Sequence, residues 1–103
     1  MLSSHPFLKS NNTQIWYNKD SPIVLYCPLE GVPKVNKIWY FNGIKIIPNG
    51  NWSIDKYYNL IFSRGLTENL QGTYVCNASN EFGRNFLKYN AKLAGFFNFD
   101  IFF

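Results

Sequence analysis

Short runs of apolar and aromatic residues recur along the chain, separated by clusters of turn-forming residues. The clusters are Asn18-Lys19-Asp20-Ser21-Pro22, Glu30-Gly31-Val32-Pro33, Asn42-Gly43, Pro48-Asn49-Gly50-Asn51 and Asn80-Glu81-Phe82-Gly83. The runs between them predict strands at 15–17, 23–28, 38–41, 44–47, 60–63, 73–78 and 86–93. Asn42-Gly43 between two apolar runs is a tight-hairpin signal, because both residues tolerate positive φ. Several runs alternate with period two. Ile23, Leu25 and Cys27 share one face, as do Tyr74, Cys76 and Ala78, with Thr73, Val75 and Asn77 opposite. Late in the chain Leu87, Tyr89, Ala91 and Leu93 alternate with Lys88, Asn90 and Lys92. No stretch repeats apolar residues at helical spacing between caps. Evenly spaced short strands of this kind predict an all-β sandwich or barrel.

Composition narrows this picture. A chain of 103 residues holds one domain. Its aromatic fraction is 19%, and aromatic residues suit half-buried pleated surfaces. The net charge of +4 comes from basic residues scattered singly, unlike the clustered charge of a nucleic-acid binder. The one local concentration is Arg84, Lys88 and Lys92, which a strand would place on one face. That stretch is a candidate weak contact for a heparin-like polyanion, set against the plainer reading of a solvated polar face. Residues 1–5 read as a disordered leader and 6–93 as the domain. Residues 94–103, rich in Phe, are too short for a membrane span of roughly 20 residues and read as a fragment boundary.

Two cysteines, Cys27 and Cys76, lie mid-strand on inward faces. Trp39 follows the first in the next strand, and Gly72 and Tyr74 precede the second. On these residues the chain resembles the immunoglobulin superfamily, and within it the I-set. Val32-Pro33 leading to Trp39-Tyr40-Phe41-Asn42-Gly43 is similar to the family's passage from strand B through C. Gly72-Thr73-Tyr74-Val75-Cys76-Asn77-Ala78-Ser79-Asn80-Glu81-Phe82-Gly83 is similar to its strand F and the turn after it. The resemblance implies a β-sandwich of two antiparallel sheets with Greek-key topology. It also implies a Cys27–Cys76 disulfide between the sheets, a Trp39 packed on it and a Tyr74 hydroxyl closing a corner.

Three positions depart from the family pattern. Leu70 stands where the corner's acid is usual, with Glu68 or Asn69 as substitutes. Lys37 occupies an ordinarily apolar place two before Trp39. Leu60 and Phe62 lie one residue further from Leu66 than usual, which suggests a bulge or register adjustment at that strand's end.

A disulfide closing a loop of 49 residues is worth about 4 kcal/mol by chain entropy. That is a large share of the roughly 5–15 kcal/mol of a whole domain. Reduced thiols, as in intracellular muscle relatives, are the alternative. Three N-x-S/T triplets, at Asn11, Asn51 and Asn77, are candidate N-glycosylation sites and favour an extracellular or cell-surface setting.

Catalytic material is scarce. The one histidine, His5, lies near the terminus, and the six acids are widely separated. The sequence implies no enzyme, cofactor or metal. Aromatics outside the inward pattern are Trp16, Tyr17, Tyr40, Trp52, Tyr57 and Tyr58, which either cover core edges or mark contacts. Tyr40, Val75 and Asn77, on the outer face of the C–F–G sheet, form the candidate contact surface, by resemblance to where relatives bind. Three functions stay open: an extracellular recognition or adhesion module binding other proteins, a structural module of a giant muscle protein, and a polyanion-binding module.

Overall fold

The computed structural model describes residues 12–94 of the chain. The leader at 1–5, the Asn11 triplet's asparagine and the Phe-rich tail from 95 onward lie outside them. The strands are β1 (Asn12–Tyr17), β2 (Ile23–Leu25), β3 (Asn36–Phe41), β4 (Ile44–Lys45), β5 (Ser53–Ile54), β6 (Leu60–Phe62), β7 (Gly72–Asn80) and β8 (Gly83–Leu93). A 3-10 turn at Glu68–Leu70 precedes β7. One sheet has the order β1-β8-β7-β3-β4 and the other β2-β6-β5, so the molecule is an all-β sandwich.

The expected runs all appear, with altered bounds. β7 and β8 are longer than their apolar cores because their hairpin zips to Asn80↔Gly83. The run 44–47 yields only the two residues of β4, beyond which Ile46 buries its side chain and Ile47 stays exposed. β5 has no counterpart in the sequence reading. One pairing departs from a purely antiparallel arrangement: β1 runs parallel to β8, Asn12↔Lys88 through Tyr17↔Leu93. No hairpin joins these two strands, so β1 is free to lie along β8 in the same direction.

The core follows the period-two alternation. Leu25, Leu60 and Phe62 from one sheet, with Cys27 two residues past the end of β2 and not mid-strand as expected, meet Trp39, Tyr74, Cys76 and Ala78 from the other. The sulfurs of Cys27 and Cys76 are bonded, and Trp39 is the cross-strand partner of Cys76. Phe41, Trp52, Phe62 and Tyr74 form an aromatic group in which Phe41 stacks on Tyr74 at 4.6 Å between centroids.

The corner before β7 is pinned by hydroxyls. The Tyr74 hydroxyl donates to the Leu70 carbonyl at 2.6 Å and the Tyr17 hydroxyl to the Thr67 carbonyl at 2.9 Å. Burial pushes both phenols up, with the Glu68 carboxylate adding to the effect on Tyr17. Where the family acid is missing, Glu68 pairs with Lys19 at 3.8 Å across the same corner. Both partners are more than half exposed, so this pair contributes little.

Of the bulge or register adjustment expected at the end of β6, no bulge forms. The β2–β6 ladder runs in register from Ile23↔Phe62 to Leu25↔Leu60. A turn takes up the extra residue instead, closed by the Gly65 amide on the Phe62 carbonyl. Gly65 has φ +81°, and a Cβ there would collide with the Asp20 and Ser21 backbone.

Candidate contact face of the five-stranded sheet

Strand β7 organises the face. Its inward side chains are fixed in the core, so Thr73, Val75, Asn77 and Ser79 must point away from it. Register then assembles their neighbours. One row runs Lys45, Tyr40, Val75, Lys88 and Asn12 across the five strands. The next holds Ile38, Asn77 and Phe86, and a third holds Asn36, Ser79 and Arg84. Towards the corner Thr73, Asn90 and Gln14 share a row, and Trp16 lies opposite Lys92.

The two surfaces suggested by the sequence are therefore one. Tyr40, Val75 and Asn77 occupy adjacent rows, and Arg84, Lys88 and Lys92 run down the same side on β8. At roughly 3.4 Å per residue successive cations are about 14 Å apart along the strand. Sequence reasoning missed Ile38, Phe86 and Lys45 as members of the face. The signal was available for Ile38, since an inward Trp39 forces it outward. It was available for Phe86 as well, since an inward Leu87 forces it outward, whereas Lys45 needed the strand register.

The face divides by chemistry. Ile38, Tyr40, Val75 and Phe86 form an apolar patch, with Ile38 37% and Phe86 38% exposed. Below it the polar side chains bond one another. Thr73 Oγ1 donates to Asn90 Oδ1 at 3.1 Å, and Asn90 Nδ2 to Asn12 Oδ1 at 2.9 Å. Lys45, Arg84, Lys88 and Lys92 frame both parts. None of the described carboxylates, Asp20, Glu30, Asp55, Glu68 and Glu81, belongs to a strand of this sheet. The face is a positively framed apolar patch.

The other aromatics sort differently. Tyr17 is a core residue, 4% exposed, and Trp52 is half-buried in the aromatic group. Trp16, Tyr57 and Tyr58 are exposed, and so is Tyr26, which sequence reasoning passed over. Asn51 sits in a tight turn, its amide on Asn49 Oδ1 at 2.7 Å, and is exposed. Asn77 is exposed too, but in the middle of the sheet face between Ile38 and Phe86. Among the described residues no group of three or more His, Cys, Asp or Glu could hold a metal ion.

The profile of the immunoglobulin domain family matches residues 6–80, more than half of the chain. The chain belongs to the immunoglobulin domain family. Solved structures share the fold of this immunoglobulin domain at low identity. The N-terminal eight domains of Down Syndrome Cell Adhesion Molecule match at 19% identity and TM-score 0.78, covering 90% of this chain and 15% of that one. Sidekick-1 immunoglobulin domains 1–5 match at 20% identity and TM-score 0.76, covering 86% and 19%. Titin domain M7 matches at 21% identity and TM-score 0.74, covering 92% and 99%. This immunoglobulin domain thus spans a small part of the Down Syndrome Cell Adhesion Molecule and Sidekick-1 structures and nearly all of the single titin domain.

Proposed function

We propose that this domain is a protein-recognition module of an extracellular or cell-surface multidomain protein, without catalytic activity, binding through the outer face of its five-stranded sheet. The observation that carries the reading is the patch of Ile38, Tyr40, Val75 and Phe86 framed by Lys45, Arg84 and Lys88 with no carboxylate in the sheet. Aromatic and aliphatic side chains at the centre with charge at the rim is the make-up of a contact surface. The cations select a partner surface that is acidic around its own apolar centre. The bonded Cys27 and Cys76 sulfurs and the adhesion proteins among the fold's relatives support the extracellular setting. Addition of β4 and the parallel β1 to the β8-β7-β3 group supports the I-set reading, since a constant-type sheet would stop at three strands.

The setting has a sharp corollary. A glycan on Asn77 would cover Tyr40 and Val75, so recognition through this face requires Asn77 bare and leaves Asn51 as the described acceptor. Mass spectrometry of the native protein, with thiols alkylated before reduction and with and without glycosidase, tests this. Unalkylated cysteines and sugar on Asn51 but not Asn77 are expected. Free thiols with unmodified asparagines would place the domain inside the cell, as a structural module.

The four cations on the face favour one further reading, a polyanion contact through Arg84, Lys88 and Lys92. Retention on heparin at physiological salt, lost on Lys88→Glu, is what that reading requires.

A further inference from the structure

The sandwich opens at one end because β2 stops early. Its ladder with β6 finishes at Leu25↔Leu60, although the sequence pattern continues the strand to residue 28. Beyond that point side chains, not a partner strand, hold the backbone. The Tyr89 hydroxyl donates to the Tyr26 carbonyl at 2.6 Å, and the Cys27 amide donates to Asn59 Oδ1 at 3.1 Å. Lys37 Nζ donates to the Cys27 carbonyl at 2.6 Å. Segments 26–31 and 56–59 therefore part, leaving a cleft of about 390 Å³ between them. That volume falls in the range of ligand pockets, roughly 300–1,000 Å³.

The walls are aromatic and cationic. Tyr26, Tyr57 and Tyr58 supply apolar surface, and Lys34, Lys37 and Lys56 supply charge against the single carboxylate of Glu30. Lys56 Nζ lies 5.2 Å from the Tyr57 ring centroid. The nearby Asp55 is already engaged: its carboxylate accepts from the amides of Tyr57 and Asn59 at 2.8 and 2.9 Å and from Asn59 Nδ2 at 3.2 Å. Among the described residues the one ion pair is Lys19–Glu68, so no cleft lysine has a salt-bridge partner.

Lys37 is the informative residue. It lies on the inward side of β3, in line with Trp39 and Phe41, and is half-buried. Burial holds its ammonium below the ordinary lysine range, Lys34 adding to the effect and the Glu30 and Asp55 carboxylates acting in the opposite sense without touching it. An inward ammonium with no contacting carboxylate is a site that an incoming anion would complete.

From this cleft we infer a second docking site, for an acidic peptide segment of a partner protein. A Glu or Asp carboxylate of that segment sits against Lys34, Lys37 and Lys56, and a neighbouring aromatic side chain packs on Tyr26, Tyr57 and Tyr58. The occupant follows from the charge excess of the walls together with their aromatic surface. The site does not rest on the sheet-face reading, because Lys37 points to the opposite side of β3 from Ile38 and Tyr40.

The test is an amide chemical-shift titration of the full chain with the peptide acetyl-Glu-Phe-Glu-amide. Its counterpart acetyl-Lys-Phe-Lys-amide and sodium acetate serve as controls. The acidic peptide should shift amides within 26–37 and 56–59, with a Kd near the millimolar range. Lys34→Glu, an exposed position, should weaken it about tenfold or more, while Arg64→Glu, exposed and outside both the cleft and the five-stranded sheet, leaves it unchanged. Lys37→Met should weaken it as well, and its folded state is checked from the same spectra. Equal shifts from the basic peptide, equal affinity for acetate, shifts centred on Tyr40, or none up to about 10 mM would each overturn the proposal.

Discussion

Removing one oxygen atom from the corner before β7 gives a clean test of how this sandwich is held. Tyr74 is fully buried, and its ring stacks on Phe41 at 4.6 Å and meets Phe62 edge-on at 5.4 Å. Tyr74→Phe keeps those ring contacts and deletes only the hydroxyl that donates to the Leu70 carbonyl at 2.6 Å. The loss has two parts: the net hydrogen bond, and a carbonyl left without its donor beside a residue only 7% exposed. Together they amount to about 1–3 kcal/mol. In a domain of this size that is a fall in Tm of roughly 4–8 °C per kcal/mol. The assay is urea denaturation followed by tryptophan fluorescence, comparing midpoints at unchanged m-value.

Tyr17→Phe gives a second arm. Its hydroxyl holds the Thr67 carbonyl, at the start of the same turn. Once either tie is cut the turn can relax, so the double variant should lose less than the sum of the single losses. Refutation would come from a Tyr74→Phe protein within about 0.3 kcal/mol of the parent, or from strictly additive losses.

Other expectations follow from particular residues. Gly65→Ala places a Cβ against the Asp20 and Ser21 backbone at positive φ and should cost about 2 kcal/mol or more. Gly50→Ala, with nothing within 4 Å, should stay within about 0.5 kcal/mol by the same urea assay. Reducing the Cys27–Cys76 bond should lower stability by about 4 kcal/mol, read as a shift in urea midpoint with and without reductant. The amide of Asn59, with that of Tyr57 and the Asn59 side chain, holds the Asp55 carboxyl below the usual carboxylate range. Its contribution is present above the ordinary aspartate pKa and is lost as pH falls through the depressed one. Asp55→Asn should therefore flatten the acid limb of stability against pH.

The parts of the fold visible in the sequence were those written in local alternation. β7 and β8 carry enough inward apolar positions to fix their faces, and Cys27, Trp39, Tyr74 and Cys76 place the two sheets around them. What escaped depends on contacts distant in sequence. Tyr17 looks like a surplus aromatic until its hydroxyl meets Thr67, fifty residues on. β5 is two residues long, too short to show alternation. β2 ends early because Tyr89, Asn59 and Lys37 take its backbone groups, which no local pattern in 23–28 records. The candidate site was half legible for the same reason. Alternation pointed Tyr40, Val75 and Asn77 outward, but only the register shows that Lys88 adjoins Val75 and that Ile38 and Phe86 flank Asn77.

Recognition through the sheet face is tested most directly by multivalent display. The domain is presented as a tetramer to cells that bind it, before and after heparinase treatment, alongside Val75→Asp and Ser63→Asp tetramers. Ser63 is exposed and lies outside the five-stranded sheet. Binding that survives heparinase, falls at least about tenfold with Val75→Asp and is unchanged with Ser63→Asp is the predicted result. Binding that Val75→Asp leaves intact, or that heparinase alone abolishes, would contradict it.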